Sequence, residues 1–288
     1  MATVPVLAAA KRSYGFLYEY RGHFVAIAWP WLLGLVALNL LVIALLGPQA
    51  MGFTPPGQQA QTVAASPANA AVQIALFAAS AIIGAAVAVA WHRTLLLGPE
   101  AGGANRLKVD ARALRYFGYV ALVNLAAGVL GVSLGVAAGI AASFLGTAFG
   151  LGFASVGLSQ VFVLIGLLFG GYLAARWTIL FPAVAIDDPS VRLQASWEAT
   201  RGNGWRILAG TVLVMLPLLA VYGVLFIPAI LLVSAVGGGL VGLWLAAGYA
   251  VAVQTAMAFL TGVLIAGFMS LCYDVLIRGG GPQSAAEG

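Results

Sequence analysis

The sequence predicts an all-α, polytopic membrane bundle of about six transmembrane helices, with three amphipathic helices at the cytoplasmic interface. Three observations lead there. Of the 288 residues, 62% are hydrophobic and only 7% charged, whereas a soluble domain carries roughly 25% charged residues to face water. Apolar runs long enough to cross a bilayer, about 20 residues each, recur six times. All 13 Lys and Arg fall on one side of those runs, in the terminal segments, in alternate connections or at the span ends that face them, which is the pattern that orients membrane helices.

The chain begins with a charged segment of helical periodicity. Leu7, Ala10, Tyr14 and Leu17 face one way, and Lys11, Arg12 and Glu19 another. Such a segment is expected to lie flat at the interface. It does not read as a cleavable signal peptide, because the next apolar run has full spanning length and lacks a cleavage site. Arg21-Gly22 closes it, with Arg suited to a helix C-terminus and Gly to a left-handed turn. The first span then covers about 24–46. A Pro-, Gln-, Ala- and Ser-rich connection, 47–70, reads as a flexible outer loop.

The second span, about 71–97, ends in His92-Arg93 and a short apolar run to Gly98. A second charged segment follows, with Leu107, Ala111 and Leu114 opposing Lys108, Arg112 and Arg115, and Gly118 as its breaker. The third and fourth spans are read at about 117–142 and 157–182, joined by the uncharged connection 143–156. Gly131, Gly135 and Gly139 on one, and Gly166 and Gly170 on the other, predict close helix contact.

The third charged segment has a start signal, Asp188-Pro189, with Asp as N-cap and Pro at the first helical position. Its Leu193 and Trp197 oppose Arg192, Gln194, Glu198 and Arg201, and Gly202 ends it. The fifth span, about 206–234, is expected to bend at Pro217 and Pro228. A Gly237-Gly238-Gly239 turn leads to the sixth, about 240–275, which ends in Asp274 to Gly279. Both long final spans exceed the bilayer and should tilt or project. The whole reads as one membrane domain, 1–279, built of three units (about 1–100, 101–187 and 188–279), followed by a disordered tail at 280–288.

The connections at 47–70, 143–156 and 235–239 carry no charge. The positive-inside rule therefore predicts both termini in the cytoplasm. The formal charge of +5 reflects those basic loops and excludes nucleic acid as a partner.

His92, Arg93, Arg176 and Asp274 are the candidate polar cluster on the cytoplasmic side, since intramembrane charge seeks a protein or water partner. An Arg176–Asp274 pair is attractive, with His92 and Glu19 nearby. Such a cluster would make a pocket for a lipid headgroup phosphate. The plainer reading, favoured by charge so near the boundary, is that the arginines snorkel to the interface and Asp274 balances them. Asn39, Asn124 and Gln254 are amides within spans and read as interhelical hydrogen bonds rather than a transport path.

Catalytic, metal and cofactor sites are not expected. The single cysteine, Cys272, excludes a disulfide framework, and neither His23 nor His92 is followed by a carboxylate three or four residues on. No serine lies in a nucleophile motif, and no Lys-Ser/Thr follows the glycine run.

Arg176 to Pro182 with Ala183 to Asp187, then Ser196-Trp197-Glu198-Ala199-Thr200-Arg201-Gly202-Asn203-Gly204-Trp205-Arg206, and Tyr273-Asp274 near the end, carry a resemblance. The chain resembles bacterial six-helix inner-membrane proteins of the YciC-like group and the membrane domain attached to some glycerophosphoryl diester phosphodiesterases. Val275 and Leu276 depart from that group's ending. The resemblance implies fold and a bacterial inner-membrane location. It does not bring the phosphodiesterase activity, which belongs to a separate soluble domain.

The function expected from these readings is a non-enzymatic membrane protein that binds lipid or a partner and supports envelope homeostasis. The alternative is a small-solute or lipid transporter. Its expected partners are membrane lipids and a membrane-protein partner or second copy of the chain.

Overall fold

The computed structural model describes residues 3–47, 67–103, 108–149, 153–235 and 240–279, and every element in them is helical. The elements are α1 (Val6–Glu19), α2 (Arg21–Leu46), α3 (Pro67–Leu97), α4 (Pro99–Gly103), α5 (Ala111–Ala148), α6 (Phe153–Trp177), α7 (Leu180–Ala185), α8 (Leu193–Ala199), α9 (Gly204–Ala235) and α10 (Leu240–Tyr273), with a wider π-helical turn at Asp274–Arg278. Six of them, α2, α3, α5, α6, α9 and α10, are long and apolar enough to cross a membrane. The protein is an all-α, multi-pass membrane protein. Most of the expected flexible loop at 47–70, the Gly237-Gly238-Gly239 turn, Leu107 of the second charged segment and the 280–288 tail lie outside the described residues.

α10 is the centre of the bundle. Half of its spanning stretch is buried, against 11% for α9, and it packs on α1, α2, α3, α7 and α9. The reason is in its sequence: apolar or small residues occupy every face, so no side of it requires water. α5 and α6 form a separate hairpin. They approach closely because glycines face each other: a Cβ added at Gly131 would lie 2.5 Å from the Gly166 carbonyl oxygen and 2.9 Å from Gly170 Cα. Without a hydrophobic drive between helices in lipid, such close packing is what holds them. At 38 residues, α5 is about 57 Å long, well beyond a hydrocarbon core of roughly 30 Å.

The charged segments divide differently from expectation. Only the first and third form separate helices. In the second, Asp110 accepts from Ala113 N at 2.8 Å and caps α5 directly, so the segment is the first turns of the span and Gly118 lies inside it. The first break falls at Tyr20, with Gly22 already in α2. Positive φ occurs at Gly98 (100°), Gly202 (78°) and Gly279 (69°), where glycine alone is comfortable. Asp188 is not the cap of α8. It closes an Asx turn, accepting from Ser190 N at 2.9 Å, and α8 starts only at Leu193.

α1 docks on α9 and α10, burying Ala9, Ala10 and Ser13 and leaving Leu7 exposed. Ahead of it, the buried Val4 donates its N–H to Asn203 Oδ1 at 3.0 Å, tying the N-terminal segment over the α8–α9 turn. In α8 the buried face is polar, not apolar: Ser196 and Thr200 are buried, and their hydroxyls donate to the Arg176 carbonyl at 3.2 and 2.9 Å. Those bonds satisfy an acceptor that the C-terminus of α6 leaves without a helical partner.

α9 contains Pro217 and Pro228, and each lies beside a tyrosine from another helix. Tyr14 of α1 donates to the Val214 carbonyl at 2.6 Å, and Tyr249 of α10 to the Leu225 carbonyl at 2.9 Å. Both acceptors sit one residue beyond the carbonyl that the proline deprives of its N–H partner. α2 also contains a proline, Pro30.

Candidate functional site

The charged residues gather at one end of the bundle, but in separate niches. Arg176, 7% exposed, sends Nε to Thr200 Oγ1 at 3.0 Å, one Nη to Tyr172 OH at 3.2 Å and the other to the Trp197 carbonyl. Its guanidinium carbon stands 4.0 Å from the Trp197 ring centre. α8 therefore supplies Arg176 with oxygen acceptors and a π-face. Among the described residues no ion pair joins Arg176 to Asp274, and the buried Arg176 does not snorkel as the plainer reading expects, because α8 occupies the guanidinium. Glu19 pairs within α1, with Arg12 at 2.7 Å.

His92 is fully buried. Its Nδ1 lies 2.7 Å from Ser270 Oγ and its Nε2 3.1 Å from Tyr116 OH. Ser270 spends its own proton on the Ala266 carbonyl at 3.0 Å. With Ser270 so placed, Nδ1 is the donor to Ser270 in the tautomer whose Nε2 accepts from Tyr116. With both ring nitrogens partnered, His92 knots α3, α5 and α10 together. Arg93 donates to the carbonyls of Ala101 at 3.2 Å and Ala185 at 3.3 Å, bracing α4 and α7. Asp274 opens the π-helical turn. The acid that serves that end of α10 is Asp188, which accepts from Tyr273 OH at 2.5 Å.

Asp187 adopts φ 58°, an uncommon conformation that aspartate tolerates better than most residues. Its carboxylate meets Arg112 at 2.5 Å and Arg115 at 2.8 Å. The Arg112 hydrogen bond, reinforced by the charges of both arginines, holds the carboxyl below its ordinary range.

A second region begins one to two turns along α3 from His92 and Arg93, at Val87 and Ala88, and carries its polar residues farther from the charges. A cavity of about 510 Å³ opens between α2, α3 and α10, and Asn39 and Gln254 both line it, with Gln73, Ser80 and Thr255. Asn39 is 18 residues along α2 from Arg21, about 27 Å from the charged end. Asn124 is elsewhere, exposed on α5. The expected helix-to-helix bonds are not formed among the described residues. Asn39 Nδ2 goes to Leu35 O and Asn124 Nδ2 to Val120 O, both at 2.8 Å and both one turn back in the same helix. Gln254 makes no hydrogen bond among the described residues. It also lines a smaller cavity, about 240 Å³, between α9 and α10.

Sequence reasoning missed Gln73, Ser80 and Thr255. A signal existed: Gln73, Phe77, Ser80 and Gly84 fall on one helical face, as do Val251, Thr255, Ala258 and Gly262. Tyr116 and Ser270, the partners of His92, have no such signal, since only the packing of three helices brings them together.

Six spans, a buried arginine clamp and an uncharged cavity within the spans define a helical integral membrane protein. Residues 153–284, somewhat under half of the chain, match the family described as the membrane domain of glycerophosphoryl diester phosphodiesterase. The match runs from α6 through α10 and takes in Arg176, α8, Gln254 and Asp274, so over this stretch the chain is similar to that membrane domain. No curated protein and no solved structure matches the chain.

Proposed function

We propose that this is a non-enzymatic, lipid-binding protein of the bacterial cytoplasmic membrane, with both termini in the cytoplasm and a role in envelope homeostasis. The observation that carries the lipid reading is the α2–α3–α10 cavity. It lies within the spans, is walled mainly by hydrocarbon, and has unspent polar groups at Gln254 and Ser80. A pocket with apolar walls and a few convergent polar groups is the usual form of a small-molecule site. The charged end does not compete for the role, because Arg93, Arg176 and His92 are spent on protein partners.

Orientation rests on the sequence, in which all 13 basic residues fall on the same side of the six spans. Alkaline phosphatase fused after Gly47 should be active, and fused after Gly279 inactive. The reverse result would invert the proposal. The lipid reading is tested by extracting the full chain directly into native nanodiscs and weighing the retained lipids against bulk membrane. Enrichment of one species supports it, and bulk composition overturns it.

A second reading, transport of a small solute or lipid, draws on one observation: Gln254 stands between two cavities, beside the proline-containing α9. Flux in proteoliposomes that disappears in Gln254→Leu would favour it.

A further inference from the structure

The walls of the α2–α3–α10 cavity also limit what it can hold, an inference that rests on the lipid-binding reading above. We propose that the cavity takes an uncharged amphipathic lipid, an apolar chain with a hydroxyl, ester or amide head and no phosphate.

The wall chemistry is the first ground. Asn39, Gln73, Ser80, Gln254 and Thr255 are its polar residues, and none of the described lining residues is ionisable. A phosphate brought here would lose its water and find no cation, which is prohibitive in hydrocarbon. The nearest basic residues on the same helices, Arg21 and Arg93, are at the charged end, and Arg93 is committed to the Ala101 and Ala185 carbonyls. Amides and hydroxyls, by contrast, match the donors and acceptors of a neutral head.

Unspent hydrogen-bonding capacity is the second. Gln254 and Ser80 make no hydrogen bond among the described residues. Asn39 uses Nδ2 on Leu35 O, which leaves its side-chain carbonyl. Polar groups that lack partners within a bilayer are costly, so a ligand that pairs with them recovers that cost. Thr255, in contrast, is already bonded to Val251 O at 2.7 Å and serves the wall rather than the ligand.

The third ground is size. About 510 Å³ falls within the roughly 300–1,000 Å³ of small-molecule sites, which suits a one-chain lipid. Room for a probe of this hypothesis is visible at Gly84 and Gly262. Both line the cavity, and a Cβ added at either meets nothing within 4 Å. A side chain can therefore start from either position without striking the fold, and both positions face the cavity.

The test uses the full chain in nanodiscs and two photoactivatable probes with the same diazirine-bearing chain: a monoacylglycerol, and the lysophosphatidylglycerol that differs by its phosphate. Cross-links are mapped by peptide mass spectrometry. The monoacylglycerol should label α2, α3 and α10 saturably. Gly84→Leu and Gly262→Leu should each abolish saturable labelling while keeping the wild-type melting temperature. Asn39→Leu and Gln254→Leu should each weaken it about threefold to tenfold, the loss of one net hydrogen bond. The lysophosphatidylglycerol should not saturate. Equal saturable labelling by both probes, or labelling unaffected by Gly84→Leu, would overturn the inference while leaving lipid binding intact. No saturable labelling by either probe, together with bulk lipid composition in the native nanodiscs, would sink both.

Discussion

Replacing Gly131 with alanine forces the α5–α6 hairpin apart. The new Cβ would lie 2.5 Å from Gly166 O and 2.9 and 3.0 Å from Cα and N of Gly170. Carbon atoms settle at about 3.5–4.0 Å, so the helices must separate by roughly 1 Å. Every obstructing atom is backbone, so no side chain can swing away. Overpacking of this kind costs about 1–3 kcal/mol, and the upper half of that range is expected. A loss of about 2–3 kcal/mol lowers a melting temperature by roughly 5–10 °C. The control is one turn earlier in the same helix: a Cβ at Gly128 meets nothing within 4 Å. Gly128→Ala should gain the helix propensity of alanine, about 0.5–1 kcal/mol. Both variants are compared in one detergent by scanning fluorimetry of the purified chain. The close-approach account is refuted if Gly131→Ala melts at or above Gly128→Ala.

Other perturbations address the charged end and α9. Arg176→Gln removes the clamp on α8, with charged hydrogen bonds worth about 1.5–3 kcal/mol each. Trypsin should then cut at Arg192 and Arg201 faster than in the wild type, and unchanged digestion would refute the clamp. Tyr14→Phe withdraws the bond to Val214 O, at a cost of about 1 kcal/mol, and should speed amide hydrogen exchange around 214–218 without changing it around 225–229. The Asp187 carboxyl is held below its ordinary value of 3.8 by Arg112. Its contribution is therefore present above that value and is lost as pH falls through the lower folded one. Acid melting curves of the wild type and Asp187→Asn should converge at low pH and separate above it, an effect kept small by solvent at this half-exposed site.

The spans could be read from the sequence because lipid imposes one requirement, a continuous apolar run, and 24–46, 71–97 and 240–275 meet it over most of their lengths. The glycine contact was equally legible, since the four-residue spacing puts Gly131, Gly135 and Gly139 on one helix face. Helix starts were harder. Asp188-Pro189 carries a cap signal, yet Ser190 satisfies the aspartate locally and the helix begins later. Asp110, by contrast, caps α5 through Ala113 N. The Arg176–Asp274 pairing failed for a different reason. Opposite charges at equivalent heights on two helices suggest a pair, but Thr200 and Trp197 reach the guanidinium first. Of the cavity, the sequence marked Asn39 and Gln254 singly. That they share one space depends on how α2, α3 and α10 splay, which no single-helix pattern encodes.

The two tyrosines on α9 have a mechanical consequence. Hydrocarbon offers no donor to replace a withdrawn phenol, so α1 and the proline region of α9 are joined at a bond that neither can drop alone. Lifting α1 from the bundle would strand the Tyr14 hydroxyl, and shifting α9 at Val214 would pull on it. The same holds nearer the far end, where Tyr249 couples α9 to α10, the helix that carries Gln254. α1 and the helix that walls the cavity are thus linked through one helix, α9, with a fastening near each proline, and a shift at either end has a path to the other.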